Sequence, residues 1–232
     1  MPPTTLSDRA THMNMIPPPA SSPSSHGKDF VEVVVVRHGE TSANTLRIIQ
    51  GQMDVELNET GRQQAVMVAR RLSREAKPSA VYSSDLKRAA ETAQTIATAC
   101  NVSNLVLNPA LRERHMGDLH GLKFDDAIRS KPDAWKAFSS DDRSQEIPGV
   151  GRALINWERV IVVSHEASIE ELCWHADHPT NSARRRIPNT SICIFHISAT
   201  NGHWTLERFG DIAHLNEDGF LQHAFGGDGA SA

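Results

Sequence analysis

Cysteine is scarce in this chain. Cys100, Cys173 and Cys193 are its only three, and they stand far apart in 232 residues. An odd, widely spaced set offers no disulfide framework and suits a reducing compartment. Long apolar runs are missing as well. None approaches the ~20 residues that a membrane span needs, so a soluble protein without a membrane partner is expected. Charge of one sign is not concentrated either. The formal net charge is −4, which leaves no general basic field for nucleic acid. No internal repeat is visible. Proline is unevenly spread: six of the 12 fall within residues 1–28, together with five serines. Pro17-Pro18-Pro19 neither starts a helix nor offers sheet donors, so residues 1–28 read as a disordered Pro/Ser-rich tail. The tail is poor in acidic residues, has one arginine and lacks an amphipathic pattern. A cytoplasmic protein is expected, with organelle targeting by this tail as the weaker alternative. The remaining length makes one domain, 29–210, followed by an irregular glycine-rich tail, 211–232.

What the chain does have is a valine run that ends in charge, Val31-Glu-Val-Val-Val-Val-Arg37-His38-Gly39. Branched apolar residues in unbroken sequence fit a strand covered on both faces. Ala80–Tyr82, Leu105–Leu107 and Val160–Val163 read as three more strands. Ile192–Ile197 and Trp204–Arg208 read as a hairpin across Asn201-Gly202. Helices fall between them. One opens at Asn58 or Thr60, either of which can cap it, and Thr60 with Gln63 fits a capping box. A second follows Ser83-Ser84-Asp85, read as its cap. Phe124 to Phe138 is helical but broken at Pro132, and a further helix runs from about Ser168 to Ala176. Thr41 to Gln52 is a loop or short helix. Alternating strands and helices predict an α/β fold with three α/β/α layers and a mostly parallel sheet.

In such a sheet, ligands bind at the carboxyl ends of the strands. Arg37-His38, Arg88, Glu113 and His165 all follow strands and are expected along that edge. Two arginines and two imidazoles suit a phosphoryl group, which guanidinium forks hold with charge-assisted bonds. The helix N-terminus near Ser84 is expected to add backbone donors. The two cations disfavour a charged imidazolium, so His38 stays a neutral nucleophile. Glu113 is the candidate proton donor to the departing alkoxide. The bland alternatives are a solvated strand end for Arg37-His38 and a surface ion-pair cluster for Glu113 among Arg112, Arg114 and His115. His175-Ala-Asp177-His178 reads as a solvated helix end rather than a metal site, and Trp135 and Trp157 as packing residues.

Taken in order, these stretches resemble the histidine phosphatase superfamily in its phosphoglycerate mutase-like branch. The resemblance rests on Arg37-His38-Gly39-Glu40-Thr41 with Asn44, on Ser83-Ser84-Asp85-Leu86-Lys87-Arg88-Ala89, on Glu113 through Gly121, and on Val162-Val163-Ser164-His165. It runs from about Phe30 to Trp204. It implies a phosphoglycerate mutase-like fold and metal-independent hydrolysis of a small phosphorylated metabolite through a phosphohistidine at His38. Glu113 is then the proton donor, and Arg37, Arg88 and His165 bind phosphate. Asn44, Gln50, Gly51 and Arg114 are weaker substrate-binding candidates. No metal and no cofactor are implied. The alternatives are a phosphoglycerate mutase-type phosphotransferase and an impaired phospholigand-binding protein.

Two stretches depart from the family pattern. Glu166-Ala167 stands where the family commonly has two small residues, and a carboxylate there repels phosphate unless it points away or Arg114 neutralises it. Only Val150 to Arg159 separates Gly149 from the fourth strand. One helix that covers the sheet in the family is therefore expected to be missing.

Overall fold

The computed structural model describes residues 30–138, 159–176 and 186–216. The chain begins with β1 (Phe30–Arg37), a single-turn helix α1 (Ser42–Thr45) and α2 (Glu59–Leu72). It continues with β2 (Ala80–Ser83), α3 (Lys87–Ala99) and β3 (Leu105–Leu107). Two short helices, α4 (Phe124–Ser130) and α5 (Pro132–Phe138), follow. The second half holds β4 (Arg159–Ser164), α6 (Glu166–Ala176), β5 (Ile192–Ser198) and β6 (Trp204–Asp211). All six expected strands form. The expected break at Pro132 is real, and proline there is the first residue of α5, where its missing N–H costs nothing.

The strands make one sheet in the order β3-β2-β4-β1-β5-β6. β1, β2, β3 and β4 run parallel, whereas β5 is antiparallel to β1 and β6 to β5. The valine strand therefore lies inside the sheet. Val34 and Val36 pack toward Val68 and Leu72 of α2 and Ala93 and Ile96 of α3. Val33 and Val35 pack on the opposite face, with Ile169, Leu172 and Cys173 of α6. Burial on both faces is the physical reason for the unbroken valines. Among the described residues no helix is long and apolar enough to cross a membrane. The covering helix expected to be missing falls on residues outside those described, as do the N-terminal tail, Trp157, Asp177 and His178. Trp135 is a packing residue, its ring edge-on to Phe124 at 4.6 Å.

Three local readings need correction. Asn58, not Thr60, caps α2: its side chain accepts from the Gly61 N–H at 2.8 Å. A capping box forms instead at α1, between Thr41 and Asn44. Second, α3 has no side-chain cap. Asp85 is drawn away by Arg112, whose guanidinium donates to it at 2.6 Å. The first amide of α3, Lys87 N–H, donates to Asp54 at 2.8 Å. Third, α6 starts at Glu166, two residues earlier than expected.

Described structure continues past residue 210. β6 runs through Asp211, and a 3-10 turn at Ala213–Leu215 follows. Arg71 of α2 donates to Asp211 at 2.6 Å, and Leu215 is buried against Met67. This turn buries His214, whose imidazole is pushed down to about 4, first by desolvation and then by the Arg71 cation. An unfolded histidine titrates near ~6.5. Between those values the unfolded chain binds a proton that the folded chain refuses. Stability therefore falls as pH drops from about 6.5 toward 4, by at most ~1.4 kcal/mol per pH unit for one proton. Urea midpoints at pH 7 and pH 5 check this: His214→Gln should lose less on acidification than the unmodified protein. Equal losses would refute it.

Candidate active site

The carboxyl edges of β1 and β4 place the two histidines. The His38 N–H extends the parallel ladder by donating to the Ser164 carbonyl at 3.1 Å. The rings of His38 and His165 lie with centroids 5.2 Å apart, tilted 57° to each other. The turn after β1 is held from several sides. Thr190 N–H donates to the Arg37 carbonyl at 3.1 Å, and Asn189 Nδ2 donates to the His38 carbonyl at 3.0 Å. Gly39 N–H donates to the Thr92 hydroxyl at 3.1 Å. Gly39 also abuts Gly61 at the start of α2, where a Cβ on either residue would meet the other segment's backbone. Only two glycines allow this approach.

His38 is poised as a nucleophile by its hydrogen bonds. Its Nδ1 lies 2.7 Å from the Gly39 carbonyl, which can only accept, so Nδ1 carries the proton. Its Nε2 accepts from Arg88 Nε at 3.2 Å, which leaves the lone pair on Nε2. Burial holds the ring far below the usual histidine range, and the Arg88 and Arg37 cations add to this. His38 is therefore neutral at physiological pH.

Arg88 is fixed in place by backbone. Its two terminal nitrogens donate to the carbonyls of Met53 and Gly51, each at 2.7 Å. Gly51 reaches that position with φ +46°, and a Cβ on it would strike the His120 ring. Burial pushes the Arg88 guanidinium down to about 10, so it stays charged at neutral pH. Arg37 is buried beside it. It donates to the Ile187 carbonyl and pairs with Glu166 at 3.2 Å.

Glu113 is buried, with one carboxylate oxygen accepting from its neighbour's amide, Arg114 N–H, at 2.8 Å. The Ser168 hydroxyl is 3.4 Å from the same oxygen, and Ala167 N–H approaches the other at 3.3 Å. Desolvation raises the carboxyl pKa in spite of those donors and the two arginines. His165 is also buried and depressed in pKa, by desolvation first and then by Arg88. Among the described residues neither of its ring nitrogens has a hydrogen-bond partner. Leaving such a group unsatisfied costs ~1–3 kcal/mol.

The five principal residues named from the sequence thus converge. The weaker candidates divide. Gly51 serves through its carbonyl. Asn44 and Gln50 are buried around the Thr41 hydroxyl, 2.9 Å from each side-chain oxygen, and so brace the loop after His38. Arg114 is exposed at the rim. It does not neutralise Glu166; Arg37 does. Thr92, Ser168 and Asn189 escaped the sequence reading. Asn189 had a weak signal, the polar run Asn189-Thr190-Ser191 before the apolar β5.

Residues 33–212 match the family model of the histidine phosphatase superfamily (branch 1). The chain belongs to that superfamily. Phosphoglycerate mutase-like protein 4 of Arabidopsis thaliana is 46% identical over 224 residues, covering 89% of this chain and 96% of that protein. The metal-independent phosphoserine phosphatase of the same plant is 37% identical over 217 residues, covering 86% and 90%. Among solved structures, a mycobacterial glucosyl-3-phosphoglycerate phosphatase with VO3 superposes with a TM-score of 0.68 at 26% identity, over 78% of this chain and all of that one. Membership in the histidine phosphatase superfamily carries phosphoric monoester hydrolysis by way of a histidine.

Proposed function

We propose that the protein hydrolyses small phosphomonoesters in two steps, with His38 carrying the phosphoryl group between them. The supporting observation is the pairing of a neutral, lone-pair-bearing His38 Nε2 with ring nitrogens of His165 that have no hydrogen-bond partner among the described residues, both beside the buried cations Arg37 and Arg88. In the first step His38 Nε2 attacks phosphorus and the ester P–O bond breaks. The leaving alkoxide takes the proton held by Glu113. In the second step water attacks phosphorus, the P–N bond breaks, and Glu113 recovers a proton from the water. Arg37, Arg88 and His165 hold the non-bridging oxygens throughout. Asn44 and Gln50 keep the loop after His38 in shape. The relative named a phosphoserine phosphatase makes phosphoserine the first substrate to test. A cytoplasmic location fits three cysteines that are all buried thiols.

The test combines turnover with trapping. In the presence of a chelator, purified protein should release phosphate from p-nitrophenyl phosphate and from phosphoserine. A quenched reaction should yield an acid-labile, base-stable phosphoenzyme that maps to His38. Absence of turnover on any phosphomonoester, or label on another residue, would reject the proposal. Interconversion of 3- and 2-phosphoglycerate without net hydrolysis would replace it with phosphotransfer.

A further inference from the structure

His120 is an imidazole that the reaction leaves unused. It is half-buried near the end of the loop that begins with Glu113. Its partners define its tautomer. Nδ1 lies 3.0 Å from the Gly117 carbonyl, which can only accept, so Nδ1 carries the proton. Nε2 accepts from the Gln52 N–H at 3.1 Å and, more weakly, from the Met116 N–H at 3.4 Å. Both donors are backbone amides, so Nε2 must present a lone pair. Desolvation, and after it the His115 ring, lowers the His120 pKa, the direction that favours this neutral form.

The amide that His120 holds belongs to the turn that anchors Arg88. Met53 N–H closes that turn on the Gln50 carbonyl at 2.9 Å. The Gly51 and Met53 carbonyls accept from the two terminal nitrogens of Arg88 at 2.7 Å each. The Gln52 N–H and the Gly51 carbonyl are the two ends of one planar trans peptide, so they point in opposite directions. Fixing the N–H on His120 therefore aims the carbonyl at Arg88. Gly51, with φ +46°, has no Cβ to resist rotation of that plane. Arg88 in turn donates from Nε to His38 Nε2 at 3.2 Å. One chain of hydrogen bonds thus runs from His120 through the Gly51–Gln52 peptide and Arg88 to His38. The Gln52 side chain ties the same turn to the Glu113 carbonyl at 2.9 Å.

We propose that His120 is a positioning residue for Arg88: by holding the Gly51–Gln52 peptide plane it sets the angle at which the guanidinium meets phosphate and His38. The proposal rests on the phosphatase reading of the site and adds to it a residue that acts only through another. The loop has other ties to the body. Gly121 N–H donates to the Ile49 carbonyl and Ile49 N–H to the Leu122 carbonyl, each at 2.9 Å, and Leu119 is buried with Ile49. Changes at His120 should therefore spare the fold and act on the peptide plane.

The test compares side chains that keep one bond or the other. His120→Gln places an acceptor near the Nε2 position. His120→Asn reaches only the Nδ1 position and keeps a donor for the Gly117 carbonyl. His120→Leu keeps neither. Inorganic phosphate, titrated calorimetrically into the full chain, should bind ~10-fold more weakly to His120→Asn and His120→Leu, and kcat for phosphoserine should fall by a similar factor, because a slightly misplaced clamp is costly. His120→Gln should restore both to near the values of the unmodified protein. A residue that merely supports its own turn through Gly117 gives the reverse order, with His120→Asn tolerated and His120→Gln impaired. That order, or equal behaviour of all three variants, overturns the proposal. Should His120→Asn not fold, the comparison of His120→Leu with His120→Gln decides in the same way. Phosphate binding is read without turnover, so the two readings fail separately. Absent hydrolysis, with phosphate held better by His120→Gln than by His120→Asn, would sink the phosphatase and leave this role standing. Normal hydrolysis with unchanged phosphate affinity in every variant would do the reverse.

Discussion

His38→Ala is expected to reduce kcat for p-nitrophenyl phosphate by ~10⁴-fold or more and to abolish the trapped phosphoenzyme. The size follows from chemistry, because the residue supplies the attacking lone pair and nothing adjacent replaces it. The neighbouring imidazole of His165, at 5.2 Å between ring centroids, belongs to a different strand end. The variant should still fold. The His38 ring bonds locally, to the carbonyl of Gly39, and to Arg88. Arg88 keeps its two carbonyl partners, Gly51 and Met53, when the ring is gone. β1 remains clamped between β4 and β5. Phosphate affinity should therefore stay within several-fold, since Arg37, Arg88 and His165 remain. Measuring kcat beside phosphate binding separates a lost nucleophile from a collapsed site. Activity within ten-fold of the unmodified protein would remove His38 from the mechanism.

The parts of this site that were legible in the sequence share one physical cause. A buried parallel strand is apolar along its length and can turn charged only where it leaves the sheet. Arg37-His38 and Ser164-His165 thus announce themselves by a change of composition. Arg88 and Glu113 follow from chain order, because loops after parallel strands open on the same edge. Sheet order did not follow in the same way. β4 lies between β1 and β2 although it comes late in the chain, and apolar runs of similar composition do not encode which neighbours they choose.

Side-chain direction was the other illegible quantity. From the chain alone Glu166 either points away from the site or is neutralised by Arg114. Their partners depend on where α6 begins, and it begins at Glu166 itself, which turns that carboxylate toward Arg37. The cap of α3 failed for a related reason. Asp85 has the right chemistry for capping, but Arg112 offers it two donors at 2.6 and 2.5 Å. A cap motif describes a local option, and a distant cation can displace it. Asn189 and Ile187 escaped notice because their contribution is made through an amide and a backbone carbonyl that reach across 150 residues or more.

Glu113→Gln is expected to have an effect that depends on the leaving group. With phosphoserine, an alkyl ester, the loss in kcat should be ~10²–10⁴-fold, the usual contribution of a positioned general acid. With p-nitrophenyl phosphate, whose leaving group departs as a stable anion, the loss in the first step should be far smaller. Amide and carboxyl are nearly the same size, and the carbonyl of the introduced amide can still accept from the Arg114 N–H. The contrast therefore reports on the proton rather than on packing. The pH profile supplies an independent check. Burial raises the Glu113 pKa above the ordinary carboxyl value, and the active form for the first step is the protonated one. Single-turnover phosphorylation by the alkyl ester should therefore decline as pH rises through that raised pKa, and the decline should vanish in Glu113→Gln. A uniform loss across alkyl and aryl esters, with the pH limb retained, would assign the proton to another group and leave Glu113 as a brace for the N-terminus of α6.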